Sequence, residues 1–257
     1  MTNILILGGG ASAKRFVESY IYNDDLKLTI CSMNIFHKSR ELSQKYKLKC
    51  INYNSLNKNN INNYSVIIIS IPLLGKFDVI KKIIDYGYKG YFIIEKPFAS
   101  NIIDANKQLD ILINNYFIIP YTRRYLDFNY IFNDFNKINW HVVNSIPKDK
   151  ILTESIPHII DFIQYNIGTC KKIDNIKYND NVLSFKYNDK IIEITFNNEN
   201  IFTINGETMK DLDYIKANNI MLIELLAMNK EKQELIIKDL TNNMICFERI
   251  TKYERNN

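Results

Sequence analysis

From Asn3 to Tyr121, short unbroken apolar runs alternate with stretches whose apolar residues recur every three or four positions. The runs Asn3–Leu7, Lys27–Ser32, Lys49–Asn52, Ser65–Ile71, Tyr91–Ile94 and Phe117–Tyr121 read as strands. Their branched side chains, with little polar alternation, suit a sheet covered on both faces. Between them, Phe16, Val17 and Tyr20, the stretch from Arg40 to Tyr46, Gly75–Tyr86 (Phe77, Ile80, Ile83, Ile84) and Ile102–Tyr116 have helical spacing. The Asn-rich Tyr53–Tyr64 segment reads as a loop with one helical turn at most. Strand–helix alternation of this kind predicts an α/β Rossmann-type, doubly wound parallel sheet.

Beyond Tyr121 the pattern changes. Tyr125–Phe135 has helical spacing, Ile138–Val143 reads as a strand, and Thr153–Asn166 as a helix ended by Gly168. Four β-like runs follow (Ile173–Tyr178, Val182–Tyr187, Lys190–Phe196, Ile201–Ile204), separated by Asn, Asp and Gly turns. Asn219–Met228 and Thr241–Tyr253 read as closing helices. A C-terminal α+β domain with a mostly antiparallel sheet is expected, so the domains are placed at 1–121 and 122–257.

Composition narrows the function classes. A chain of 257 residues with 46% apolar content buries a substantial core. The net charge is +5, but lysines are interspersed with acids, so no basic stripe for nucleic acid stands out. Cys31, Cys50, Cys170 and Cys246 lack C-x-x-C spacing, and His37 and His141 lack ligand-spaced partners, so no metal site is expected. The opening strand is not a signal peptide, and no apolar run reaches membrane-spanning length. A cytoplasmic protein with reduced thiols is the expectation.

The chemistry gathers at three places. Gly8-Gly-Gly-Ala-Ser-Ala13, directly between strand and helix, is a G-x-G-x-x-A fingerprint on Gly8, Gly10 and Ala13. Gly8 permits the tight turn, Gly10 admits a pyrophosphate, and Ala13 lets helix and strand pack closely. The N–H groups of Ala11, Ser12 and Ala13 at the helix start, with the macrodipole, favour the anion. At the end of the second strand no acid stands between Leu26 and Arg40; Ser32, Lys38 and Arg40 stand there instead. A hydroxyl and cations at this place suit a 2′-phosphate, which favours NADP over NAD.

The second place is Glu95-Lys96-Pro97, where the Tyr91 strand stops. Ligands of open parallel sheets lie at the carboxyl ends of strands, so Lys96 is delivered to a substrate position. The third is Thr153-Glu-Ser-Ile-Pro-His158. Glu154 and His158, four apart, share a helix face, while Ile159, Phe162 and Ile163 hold the other.

On the opening G-x-G-x-x-A, the strand–Ile71-Pro72–helix–Gly87 unit, and Glu95-Lys96-Pro97 followed by Phe98-Ala99, the chain resembles the glucose–fructose oxidoreductase / inositol 2-dehydrogenase (Gfo/Idh/MocA) family. The resemblance implies a nicotinamide across the strand ends near Ile71 and Pro72, with Lys96 touching both ribose and substrate, and Pro97 commonly cis. It implies substrate contacts by Arg123 or Arg124 just past the sixth strand. The family carries D-x-x-x-H-x-x-D on the later helix. Here Glu154 stands where Asp is usual, Pro157 precedes His158, and the upstream glycines are absent. The second domain reads as shorter than usual for the family, whose sheet face commonly forms homodimers or homotetramers.

The activity implied is hydride transfer between NAD(P) and a sugar-like or small keto/hydroxy substrate. In it His158 is general acid/base, Lys96 its electrostatic partner, and Glu154 binds a hydroxyl or orients His158. Imine or biliverdin-type reduction on the same fold is the rival enzyme reading. A non-catalytic NAD(P)-binding regulator, similar to the galactose-regulon repressor, is the rival from another class.

Overall fold

The computed structural model describes residues 1–33, 38–121, 137–143, 148–179, 182–197, 202–204, 207–208 and 213–255. Six strands, β1 (Thr2–Leu7), β2 (Leu26–Ser32), β3 (Lys49–Asn52), β4 (Val66–Ile69), β5 (Tyr91–Ile94) and β6 (Phe117–Ile118), form one sheet in the order β3-β2-β1-β4-β5-β6. Every pairing in it is parallel. This is the Rossmann order, with the switch point between β1 and β4. The unbroken apolar runs of β1 and β4 are buried on both faces, as their lack of alternation requires.

Four helices intervene: α1 (Ala11–Tyr20), α2 (Lys38–Lys45), α3 (Lys76–Asp85) and α4 (Ile102–Ile111). Phe16, Val17 and Tyr20 of α1 meet Ile4, Ile6 and Ile30 of the sheet in one core. Two expected ends are shorter than the pattern suggested. α4 stops at Ile111, and beyond it Asn115 turns its side chain inward, donating to the carbonyls of Tyr88 (3.2 Å) and Gly90 (3.3 Å). The sixth strand pairs only over Phe117 and Ile118.

The second sheet has the order β12-β11-β7-β10-β9-β8, from β7 (Lys137–Val143), β8 (Ile173–Asn179), β9 (Val182–Tyr187), β10 (Lys190–Asn197), β11 (Phe202–Ile204) and β12 (Glu207–Thr208). Its pairings are antiparallel except β7 with β10. Leu183, Phe185 and Tyr187 of β9 and Ile192 and Ile194 of β10 face the core. Ser184, Lys186, Glu193 and Thr195 alternate with them on the other face, which also carries the exposed Ile191, so that face is polar as well as apolar. Helix α5 (Lys148–Ile167) starts earlier than its periodicity indicated. The helix expected over Tyr125–Phe135 lies outside the described residues.

A single cut at residue 121 does not describe the compact units. The first comprises Met1–Tyr125 and Asp213–Ile236, the second Leu126–Leu212 and Ile237–Asn257. Helix α6 (Tyr214–Leu226) therefore returns to the Rossmann unit. Its Met221, Leu222 and Leu225 join the core that holds Ala13, Phe16 and Tyr20 of α1. The Tyr20 hydroxyl donates to Asn218 O (2.9 Å), and Asn218 Nδ2 donates to Ser19 Oγ (2.9 Å). Burial pushes the Tyr20 hydroxyl far above its usual range, so it stays a donor. Helix α7 (Lys230–Arg255) opens in the same unit, where Gln233 Oε1 accepts the Phe117 N–H (2.9 Å) on β6, the edge strand.

Candidate functional site

In the first unit the site grows out of the β1–α1 turn. Gly8 has φ +116°, and a Cβ there would stand 2.1 Å from the Ser70 carbonyl oxygen at the end of β4. Only glycine fits. Gly9 is equally constrained by space: a Cβ would lie 2.4 Å from the Ser39 nitrogen, so the turn runs against the start of α2. Gly10 is different. It caps α1 in an extended conformation (φ −77°, ψ −171°) without a side-chain cap, and a Cβ there would meet no atom within 4 Å. The first intrahelical bond of α1 runs from Lys14 N–H to Gly10 O (3.0 Å). The N–H groups of Ala11, Ser12 and Ala13 thus stand at the open helix start, where an anion is favoured. Ala13 is fully buried against the sheet, as the fingerprint demands.

Beside this turn lies an open groove of about 390 Å³, lined by Gly9, Gly10, Ala11, Lys14, Lys38, Glu41, Leu42 and Lys45. Three lysines against one carboxylate make it cationic. Of the residues predicted to hold a 2′-phosphate, Lys38 lines the groove. Arg40 is exposed elsewhere on α2, and Ser32 is buried at the end of β2. Residues 34–37 are outside the described part of the chain.

The Glu95-Lys96-Pro97 turn follows β5. Glu95, Lys96 and Pro97 are half-buried, and the Lys96–Pro97 peptide bond is cis, as the family resemblance led us to expect. The Ser12 hydroxyl, in the first turn of α1, donates a short hydrogen bond to Glu95 Oε1. The glycine turn and the lysine turn are therefore joined directly. Lys76 Nζ donates to the carbonyls of Glu95 (2.5 Å) and Pro97 (2.9 Å). Gln108 Nε2 donates to Phe98 O (2.7 Å), and the Phe98 ring stacks on Phe117 at 5.9 Å. Ile71 is half-buried, its Cγ2 3.5 Å from the Cβ position of Gly8, while Pro72 is exposed.

In the second unit, Glu154 and His158 stand four residues apart on α5, with Pro157 inside the helix. From Ser155 to Gln164 every residue is buried except His158, which is partly exposed. Ile159, Phe162 and Ile163 hold the core face, as their spacing predicts, and Asp161 is only 2% exposed. Asn243 of α7 donates to Pro157 O (3.0 Å), and Gln164 Nε2 donates to Asp239 O (3.0 Å), tying α5 to α7. The side chain of Glu154, and the whole of Arg123 and Arg124, lie outside the described residues.

Sequence reasoning missed Lys76, Gln108, Lys14 and Lys45. Lys76 alone left a signal: a cation in the first helical position opposes the macrodipole, so another contact must hold it there. Among the described residues no helix is long and apolar enough to cross a membrane.

Residues 2–116 match the family model described as "Oxidoreductase family, NAD-binding Rossmann fold" (GFO_IDH_MocA). Curated proteins give no sequence match. Solved structures share the fold over nearly the full length of both chains. Scyllo-inositol dehydrogenase from Lactobacillus casei, with bound NAD(H) and scyllo-inositol, aligns at TM-score 0.73 and 11% identity, covering 100% of this chain and 98% of that one. Myo-inositol dehydrogenase from Corynebacterium glutamicum aligns at TM-score 0.68 and 12% identity, covering 98% and 96%. UDP-N-acetylglucosamine 3-dehydrogenase from Acidithiobacillus ferrooxidans aligns at TM-score 0.69 and 11% identity, covering 97% and 96%.

Proposed function

We propose that this chain, whose first unit is an NAD-binding Rossmann domain of the Gfo/Idh/MocA oxidoreductase type, transfers a hydride between NADP and a polyol or sugar-like substrate. The observation that carries the reading is the Ser12–Glu95 hydrogen bond. It couples the open start of α1, where a pyrophosphate fits above Gly10, to the turn that presents Lys96. Bound there, the nicotinamide supplies or accepts the hydride.

The chain's own residues do the rest. The Gly10 turn and the α1 N–H groups bind the pyrophosphate. Lys38, with Lys14 and Lys45 along the same groove, supports the 2′-phosphate that distinguishes NADP from NAD. Lys96 stabilises charge developing on the substrate oxygen. His158, the only partly exposed residue along Ser155–Gln164, moves the proton, because an imidazole titrates nearest neutrality. Glu154, one turn before it, binds a substrate hydroxyl or orients the imidazole. Homodimerisation or tetramerisation through the second sheet belongs to the same proposal, with light scattering as its check.

The test is a panel of inositols, other polyols and nucleotide-linked sugars incubated with NADP⁺ and with NAD⁺, followed at the nicotinamide absorbance. The reading predicts turnover of at least one polyol or nucleotide-linked sugar, with NADP⁺ preferred. Binding of NADPH with no substrate turned over would transfer the assignment to a nucleotide-binding regulator. Turnover confined to imines would transfer it to a reductase.

A further inference from the structure

Lys76 is the first residue of α3, after Gly75 as N-cap, and it is 0% exposed. Two physical preferences oppose a lysine there. Its charge runs against the positive end of the helix dipole, and an ammonium is almost never wholly buried without strong partners. The partners are specific. Nζ donates to Glu95 O at 2.5 Å and to Pro97 O at 2.9 Å, the two carbonyls that flank Lys96. Charge-assisted bonds of this kind are short, and the chain on both sides of Lys96 is fixed to one atom. A buried apolar side chain of similar length would fill the volume but leave both carbonyls unpaired.

The neighbouring contacts complete a frame. Glu95 N–H donates to Ile69 O (3.0 Å) of β4, the Glu95 carboxylate accepts from Ser12, and Phe98 O accepts from Gln108. The first two hold Glu95, next to Lys96, and the third holds Phe98, two residues on. Lys76 grips both sides of Lys96.

We propose that Lys76 is a positioning residue: its buried ammonium fixes the carbonyls around Lys96 and so sets where the Lys96 amine stands at the end of β5. The inference deepens the proposed function and rests on Lys96 acting at the reacting centre. A purely structural role would give the same hydrogen bonds, so the test separates the two.

The full-length chain is compared with Lys76→Met, Lys76→Arg, Lys96→Met and the double Lys76→Met/Lys96→Met, with Ile80→Val as a core control on the same helix. Myo-inositol with NADP⁺ is the probe pair, and NADPH fluorescence reads cofactor binding. Lys76→Met is expected to lower kcat about 10- to 100-fold at a temperature where it remains folded, the loss typical of a misplaced group. Its NADPH Kd should stay within about threefold. Lys76→Arg, which keeps the charged donors, should recover part of kcat. In the Lys96→Met background, adding Lys76→Met should change the residual rate less than about twofold, because the two act as one unit.

Amide exchange requires no substrate. In Lys76→Met the Glu95 amide, which donates to Ile69 O, should exchange at least about tenfold faster while those of β1 and β4 are unchanged. Unchanged exchange overturns the proposal even if myo-inositol is inert, and faster exchange confined to this turn supports it. Loss of thermal stability with kcat retained, as expected of Ile80→Val, overturns it too, as do losses that multiply in the double variant. Full turnover by Lys96→Met removes the reading of Lys96 itself, and this inference falls with it even if exchange is faster.

Discussion

Gly8 and Gly10 stand two residues apart in one turn, and the structure assigns them opposite sensitivities to the same added methyl. At Gly8 the φ of +116° disfavours any L side chain, and the new Cβ would sit 2.1 Å from Ser70 O. The left-handed backbone costs about 1–2 kcal/mol and the forced repacking about 1–3 kcal/mol more. Gly8→Ala should thus lose about 2–5 kcal/mol, a Tm drop on the order of 5–15 °C for a domain of this size. At Gly10 the backbone (φ −77°) is ordinary, and no atom lies within 4 Å of the Cβ position. Gly10→Ala should leave stability unchanged or raise it by about 0.4–1 kcal/mol, since alanine restricts the unfolded chain. Its methyl would occupy the approach of the pyrophosphate, and NADPH affinity should fall at least about tenfold, roughly 1.4 kcal/mol. Thermal melts and NADPH fluorescence titrations on both variants are the assay. A Gly10→Ala protein that melts and binds like the parent would show that no dinucleotide crosses this turn. One that loses stability along with binding would show that the open space above Gly10 is misread.

Reversing charge in the lysine-lined groove tests cofactor choice: Lys38→Glu should raise the NADPH Kd about tenfold and change the NADH Kd by less than about threefold. Cys31 is fully buried, and burial, helped by the neighbouring Cys50, pushes its thiol from 9.0 up to about 12. A raised acid favours the folded state while neutral, so its stabilisation is complete below about pH 9 and is lost as pH rises toward about 12. Urea unfolding across that window should show stability falling with pH. Cys31→Ala should flatten the slope by about 1.4 kcal/mol per pH unit. Cys170, half-buried, has its thiol held below the usual range by a hydrogen bond from Cys246, by Arg249 and by the Lys172 N–H, against the effect of burial. The same bond, and then burial, push Cys246 upward. Iodoacetamide at neutral pH, read by peptide mass spectrometry, should therefore modify Cys170 first and Cys246 last.

What the sequence disclosed and what it withheld follow from how local each signal is. The fingerprint was legible because Gly8, Gly10 and Ala13 answer steric demands within a few residues of themselves. The parallel sheet was legible because the runs in β1 and β4 lack the alternation of a half-exposed strand. Helix α6 was visible as a helix, yet which unit it closes depends on Asn218 finding Ser19 and Tyr20, almost two hundred residues away. The early start of α7 was hidden because Lys230-Glu-Lys-Gln-Glu234 is polar all round, and one of the contacts that place it, Gln233 on β6, is long-range. Lys76 left only the sign of a cation at a helix start. Its partners are backbone carbonyls, which carry no side-chain signature.

The proposed chemistry depends most directly on Lys96. The decisive measurement is the turnover of Lys96→Met in saturating NADPH with the carbonyl product of whichever polyol the parent oxidises. A loss of at least about a thousandfold in kcat, with NADPH binding largely intact, is expected. Turnover within a factor of about two of the parent would contradict it, and would move the chemistry off the lysine turn altogether.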